Sequence, residues 1–423
     1  MGGAGAARRR ESLIRRKVTR AERFTRSAAT YRPVMTVHPP ETAAEPPSGP
    51  DRSRVTELRL SAFASHRGAV FPLGPLTLVT GPSGSGKTTA LAAFEALARL
   101  GAGDELIDVF ADPVACVPER ARGDGQKRRG FRIGCTVDGP VGAVRLDLAV
   151  QAEPELRVVG ERLTWGGLTL LETALRDPGR RAVQAAWHTA GMTPVTRGPL
   201  PDDRLGTSLL PLRVAGKTEG QRLVLAAAEQ VVVALRSVFP CAPRPGLMRL
   251  PVPPGLTGAG RLLSGCDNLA EVLLRTREEC GNRHARLVAA VRAGYAGPVA
   301  DVFAEVADDG SVHALIDRGG GIRSPVGRLG DGELRYLALA LVLLTGPGVL
   351  EVDPVAEVPS AYQSLTVLAD GLDHFLDLRQ KRALAELAAR TCERGHIRLV
   401  GTVSDASWAA EVGGAAVVDL SRD

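Results

Sequence analysis

At 423 residues with 44% hydrophobic side chains, the chain is long enough for two or three domains or one large elaborated one, with a core composition ordinary for a globular protein. Its formal charge of +6 is lopsided: residues 1–54 carry 12 Arg and Lys against 5 Asp and Glu, the rest 41 against 42, so the body is near neutral. No apolar run reaches membrane-spanning length, the first residues have no apolar core of a secretory leader, and the six cysteines contain no Cys-x-x-Cys, which argues against a membrane-spanning helix, a secretory signal and metal or disulfide frameworks.

The tail of residues 1–54, with arginines at 8–10 and prolines at 39, 40, 46 and 47, has little to bury and reads as disordered. Charge alone would let it touch nucleic acid or an acidic partner; a solvated arm is the plainer reading, and Met35 offers a later start. The chain uses 48 Arg and 5 Lys, the bias of a high-GC bacterial genome, which points to the cytoplasm.

The strongest local signal follows. An apolar strand at residues 76–80 runs into Gly81, Pro82, Ser83, Gly84, Ser85, Gly86, Lys87, Thr88 and Thr89, and then into Leu91, Phe94, Leu97 and Leu100 at helical spacing. This is the strand, glycine turn and helix of a P-loop. Glycines let successive N–H groups face phosphate oxygens, the helix N-terminus adds its own, Lys87 reaches the β- and γ-phosphates, and the Thr88 hydroxyl joins a Mg²⁺ held mainly by phosphate and water. ATP and Mg²⁺ are the expected ligands.

Alternation at Phe131, Ile133, Cys135 and Val137, again at Val144, Leu146, Leu148 and Val150, and at residues 156–163 predicts an antiparallel β lobe. Helical segments are expected over residues 221–236 and 268–292, separated by a proline-rich stretch. Residues 334–344 are apolar on every side, which predicts a buried helix. A strand at 366–370 ends in Asp370, an amphipathic helix covers 378–392, and strands follow at 397–402 and around Val417. The expected fold class is α/β, a P-loop NTPase interrupted by a β lobe and a helical region. Its parts are 55–120 for the first piece of the core, 121–215 for the lobe, 216–325 for a helical insertion or lid, and 326–423 for the second piece.

Taken in order, these motifs resemble the ABC-type ATPase head of the RecF, SMC and OLD-like group. Residues 55–89 are similar to its first strands and P-loop, residues 268–270 to a helix start, residues 329–335 with Gly330, Asp331 and Gly332 to its signature motif, residues 370–377 to the Walker B aspartate and D-loop, and residues 397–404 to the switch strand. The resemblance implies two heads binding ATP head to tail, with the signature loop of one against the γ-phosphate held by the other, and a homodimer that hydrolysis releases. Lys87 and Asp370 would serve hydrolysis; Thr88 and Asp370 would hold Mg²⁺. Departures matter equally. Gly371 stands where that family places a water-positioning glutamate, Val403 where it places a histidine, and Gly330 where it places a serine, so slow or vestigial hydrolysis is expected. Asp353, with Glu351, is a competing Walker B carboxylate. A nucleotide-binding module without turnover, a small-molecule kinase and a transporter ATPase are the other readings. A nucleic-acid contact at Lys127, Arg128, Arg129 and Arg132 competes with a solvated loop.

Overall fold

The computed structural model describes residues 52–189, 195–254, 260–346, 348–352, 363–409 and 413–422. Most of the basic tail, with Met35, lies outside them, as does Asp353.

A five-stranded sheet occupies the centre. Its strands are β3 (Leu76–Thr80), β10 (Val238–Pro240), β14 (Leu365–Ala369), β15 (Ile397–Thr402) and β16 (Ala415–Asp419), in the order β10-β14-β15-β3-β16, and every pairing is parallel. Strands β14 and β15 are buried along their whole length, as a parallel sheet covered on both faces requires. Side-chain alternation divides them between two cores. Leu78, Val367 and Leu399 face one; Val79, Leu368 and Val400 face the other.

The second core is shared with an eight-stranded antiparallel sheet ordered β2-β1-β4-β5-β6-β7-β8-β9. These are β1 (Arg54–Phe63), β2 (His66–Pro72), β4 (Arg129–Asp138), β5 (Val144–Glu153), β6 (Arg157–Trp165), β7 (Leu168–Ala174), β8 (Ala182–His188) and β9 (Val195–Pro201). In β4 the buried positions include Phe131, Ile133, Cys135 and Val137, the alternation that predicted it. Two helices lie in this core and pack on each other, α1 (Lys87–Ala102) and α2 (Glu219–Arg236). Arg398 of β15 fastens the sheets together: its guanidinium donates to the carbonyls of Leu73 at 2.7 Å and Val55 at 3.3 Å. Burial, with Arg54 nearby, pushes its pKa down to about 10.

The other core holds α3 (Leu269–Glu279), α4 (Gly281–Gly294), α5 (Asp331–Leu344) and α6 (Leu378–Cys392). In α5 every residue from Tyr336 to Leu343 is buried, so the all-round apolar pattern marks a helix enclosed by its neighbours. Two expectations need correction. The helix expected over 268–292 is two helices, because Cys280 leaves the helical region at φ −151°, ψ 86° beside a glycine of low helix propensity. The segment 216–325, expected to be helical, also contributes β10 to the central sheet and folds into a three-stranded antiparallel sheet of β11 (Asp301–Val306), β12 (Val312–Asp317) and β13 (Arg323–Pro325). Its first turn runs through Asp309-Gly310, with Gly310 at φ 80°, a hairpin signal that sequence reading passed over. The buried thiols that meet are Cys241 and Cys266; the nearest pair in sequence, Cys266 and Cys280, is not the one brought together.

Candidate nucleotide site

Ligands of parallel α/β sheets bind beyond the carboxyl ends of the strands. Here those ends bring together segments far apart in sequence: β3 delivers the P-loop, β14 delivers Asp370, and β15 delivers Thr402, Val403 and Ser404. They line one cleft of about 720 Å³ with Gly81, Pro82, Ser83, Gly84, Gly86, Lys87, Thr88, Thr89, Glu119 and His374.

The turn closes on the N-terminus of α1, whose cap Gly86 has φ 89°. A β-carbon there would sit 2.5 Å from His66 Nε2 and 2.7 Å from Ser65 Oγ, so the β1–β2 hairpin presses directly against the turn and only glycine fits. His66 is buried beneath, its Nε2 2.9 Å from the Gly86 carbonyl. The Lys87 ammonium donates to the carbonyls of Gly81 at 2.7 Å and Pro82 at 3.0 Å, which holds it over the loop.

Thr88 and Asp370 meet across most of the chain. The Thr88 hydroxyl donates to the Asp370 carboxylate at 2.9 Å, Thr402 Oγ1 donates to the same carboxylate at 2.5 Å, and Thr402 accepts from the Gly371 N–H at 2.7 Å. One turn on, buried Asp373 accepts from the Ser404 N–H at 3.2 Å and from its hydroxyl at 2.5 Å, with Lys381 Nζ at 3.8 Å. Arg335 of α5 supports this turn from behind, donating to the carbonyls of Asp370 at 3.3 Å and Gly371 at 3.0 Å.

The donor set suits a triphosphate with a divalent cation. Ser85 Oγ is buried inside the turn with no partner among the described residues, while the other residues of the turn line the open cleft. A hydroxyl and a carboxylate already within hydrogen-bond distance are the two oxygen donors a phosphate-bound Mg²⁺ takes from protein, and no cluster of three or more His, Cys, Asp or Glu offers a protein-only cage among the described residues.

Gly330, Asp331 and Gly332 do not line this cleft. They form the N-terminus of α5, where the Glu333 carboxylate accepts from the Gly330 N–H at 3.1 Å and Arg249 pairs with Asp331 at 2.5 Å. Gly332 backs onto the Phe375 carbonyl, so the signature-like loop and the turn after Asp370 touch. The competing carboxylate segment lies elsewhere: Leu350 bridges Leu262, outside the central sheet, and Glu351 does not line the cleft. Of the basic cluster, Arg128 is paired with Asp124 and Arg129 with Glu153. Sequence reading did not single out His374, Glu119 or Arg335. His374 and Arg335 lie within recognised motifs but at positions that no spacing rule marks, and Glu119 becomes visible only when the chain is folded.

Residues 57–98, which include the glycine turn, match the family model of an AAA domain. No curated protein matches the chain. Among solved structures it is similar to an Smc head bound to the C-winged helix domain of ScpA, with 10% identity, TM-score 0.46, and coverage of 84% of this chain and 92% of that one. An SMC head domain from Thermotoga maritima shares 12% identity, TM-score 0.39, covering 85% and 91%. A further one is an Smc head domain with an extended coiled coil bound to the C-terminal domain of ScpA, from Pyrococcus furiosus, with 11% identity, TM-score 0.41, and coverage of 85% and 91%. Among the described residues no helix is long and apolar enough to cross a membrane. A parallel sheet with the P-loop after β3 and Asp370 after β14, β15 lying between them, an antiparallel lobe over one face and a buried helix behind a glycine loop give the chain the α/β P-loop NTPase fold expected from its sequence.

Proposed function

We propose that the chain binds ATP with Mg²⁺ in this cleft and acts as a switch that pairs two copies, with slow hydrolysis releasing them. The observation that carries the reading is the 2.9 Å contact between Thr88 and Asp370, which assembles the two protein donors for a phosphate-bound cation from residues 282 positions apart. In the proposed complex the N–H groups of Ser83 to Thr89 would surround the phosphates and Lys87 would leave its two carbonyls for the β- and γ-phosphate oxygens. Bound Mg²⁺ would neutralise charge on those phosphates. Gly330, Asp331 and Gly332 would offer the N-terminus of α5 to the nucleotide of the second copy. Their absence from the cleft of their own chain, and the exposure of Phe375 (71%) and Leu378 (54%) beside them, support a surface awaiting a partner head.

Sedimentation of wild type and Lys87→Ala, with and without Mg-ATP, tests the proposal. Wild type is expected to gain mass with nucleotide and the variant to bind none; identical sedimentation of wild type in both conditions would refute pairing. A second reading, a nucleotide-binding module without turnover, draws on Gly371 and Val403, which offer no group to an attacking water. Tight binding with background phosphate release would favour it. A nucleic-acid role rests on charge alone, and within the candidate cluster Arg128 is paired with Asp124 and Arg129 with Glu153.

A further inference from the structure

Gly371 is buried at φ 59°, and a β-carbon built on it would fall 2.2 Å from Nδ1 and 2.5 Å from Cε1 of His374. The space in which a side chain at this position would begin is therefore filled by the imidazole, three residues later. A tight turn makes this possible: the His374 N–H donates to the Gly371 carbonyl at 2.9 Å, folding the ring back over the glycine. The ring lines the same cleft as Lys87, Thr88 and Asp370, and its nitrogens have no hydrogen-bond partner among the described residues. The other histidine at the loop, His66, is buried and tied to the Gly86 carbonyl.

We propose that His374 is the general base of this site, standing in for the absent carboxylate by accepting the proton of the water that attacks the γ-phosphate. The inference rests on the ATP-binding reading above. In the step, the water oxygen bonds to the γ-phosphorus as its proton passes to a ring nitrogen. The bond from the γ-phosphorus to the bridging oxygen breaks, its electron pair leaving on ADP, and the imidazolium afterwards returns its proton to solvent. No oxidant or further reactant is needed. Imidazole suits the task because its neutral form carries an acceptor lone pair on one ring nitrogen. The rival is Glu119, an exposed carboxylate that also lines the cleft.

The test compares full-length wild type, His374→Gln, His374→Ala and Glu119→Gln in three measurements: ATP affinity by calorimetry, phosphate release, and imidazole proton NMR with a non-hydrolysable ATP analogue and Mg²⁺. Both His374 variants should bind ATP as wild type does, which also shows that they fold, and lose turnover by about a hundredfold or more. The imidazole resonance missing from His374→Gln should move when the analogue binds to wild type. Turnover that survives in the His374 variants, turnover lost only in Glu119→Gln, or an unresponsive resonance overturns the assignment and leaves nucleotide binding intact. So does wild type that binds ATP without turnover. Wild type that binds no ATP refutes the underlying reading itself.

Discussion

At the scale of single residues the site depends on what glycine leaves room for. Gly371 combines a left-handed backbone with a ring seated where its side chain would be, so Gly371→Ala meets two penalties at once. The backbone share alone is about 1–3 kcal/mol. The expected result is a lowered denaturant midpoint, partly recovered in Gly371→Ala/His374→Ala because the second change removes only the steric share. No difference between single and double variants would mean the ring is not held there. Phe375, a non-glycine residue at φ 62°, adds left-handed backbone to the same turn. Restoring a glutamate at 371 would therefore displace the imidazole, not fill a vacant position.

At the scale of elements, Arg398 is a polar contact that ties the two large sheets together. Replacing it with methionine keeps much of the volume and leaves two buried carbonyls without their donor. A loss of about 1–3 kcal/mol is expected, read from the unfolding midpoint. An unchanged midpoint would show that water satisfies Leu73 and Val55 equally well. Elements of this kind differ in how far sequence discloses them. The P-loop was legible because its turn, lysine and flanking periodicities are local, and α5 because its apolar residues fill every face. β4 and β5 announced themselves by alternation. The strands β11 to β13 did not, since β12 buries only Ile316 and its remaining side chains stay partly or fully exposed. β10 has three residues, too few to show any period, and its membership of the central sheet follows from pairing with β14. The candidate site was half legible: Thr88 and Asp370 could be named in advance, but the turn that folds His374 over Gly371 is a tertiary fact.

For the molecule as a whole, the central sheet separates two cores and its carboxyl edge is the one place where the P-loop, the Asp370 strand and the switch-like strand converge. Among the described residues the longest helix, α2, has 18 residues, and the region between the lobe and α5 is compact helices and a small sheet, so the body carries no long helical arm there. What a nucleotide would change is therefore felt close to the edge itself. Gly371 N–H, Thr402, Asp370 and Thr88 form an unbroken relay of donors and acceptors across three strand ends, with the Asp370 carboxylate receiving from both sides. A cation that claims this carboxylate alters the brace on the Gly371 amide, so amide hydrogen exchange at Gly371 should change on adding Mg-ATP while the far strands β8 and β9 stay as they were. Equal exchange at Gly371 with and without nucleotide would break the chain of inference. The relay gives the turn that carries His374 a way to register occupancy of a loop nearly three hundred residues earlier in the chain, through two hydroxyls and one amide and without moving a domain.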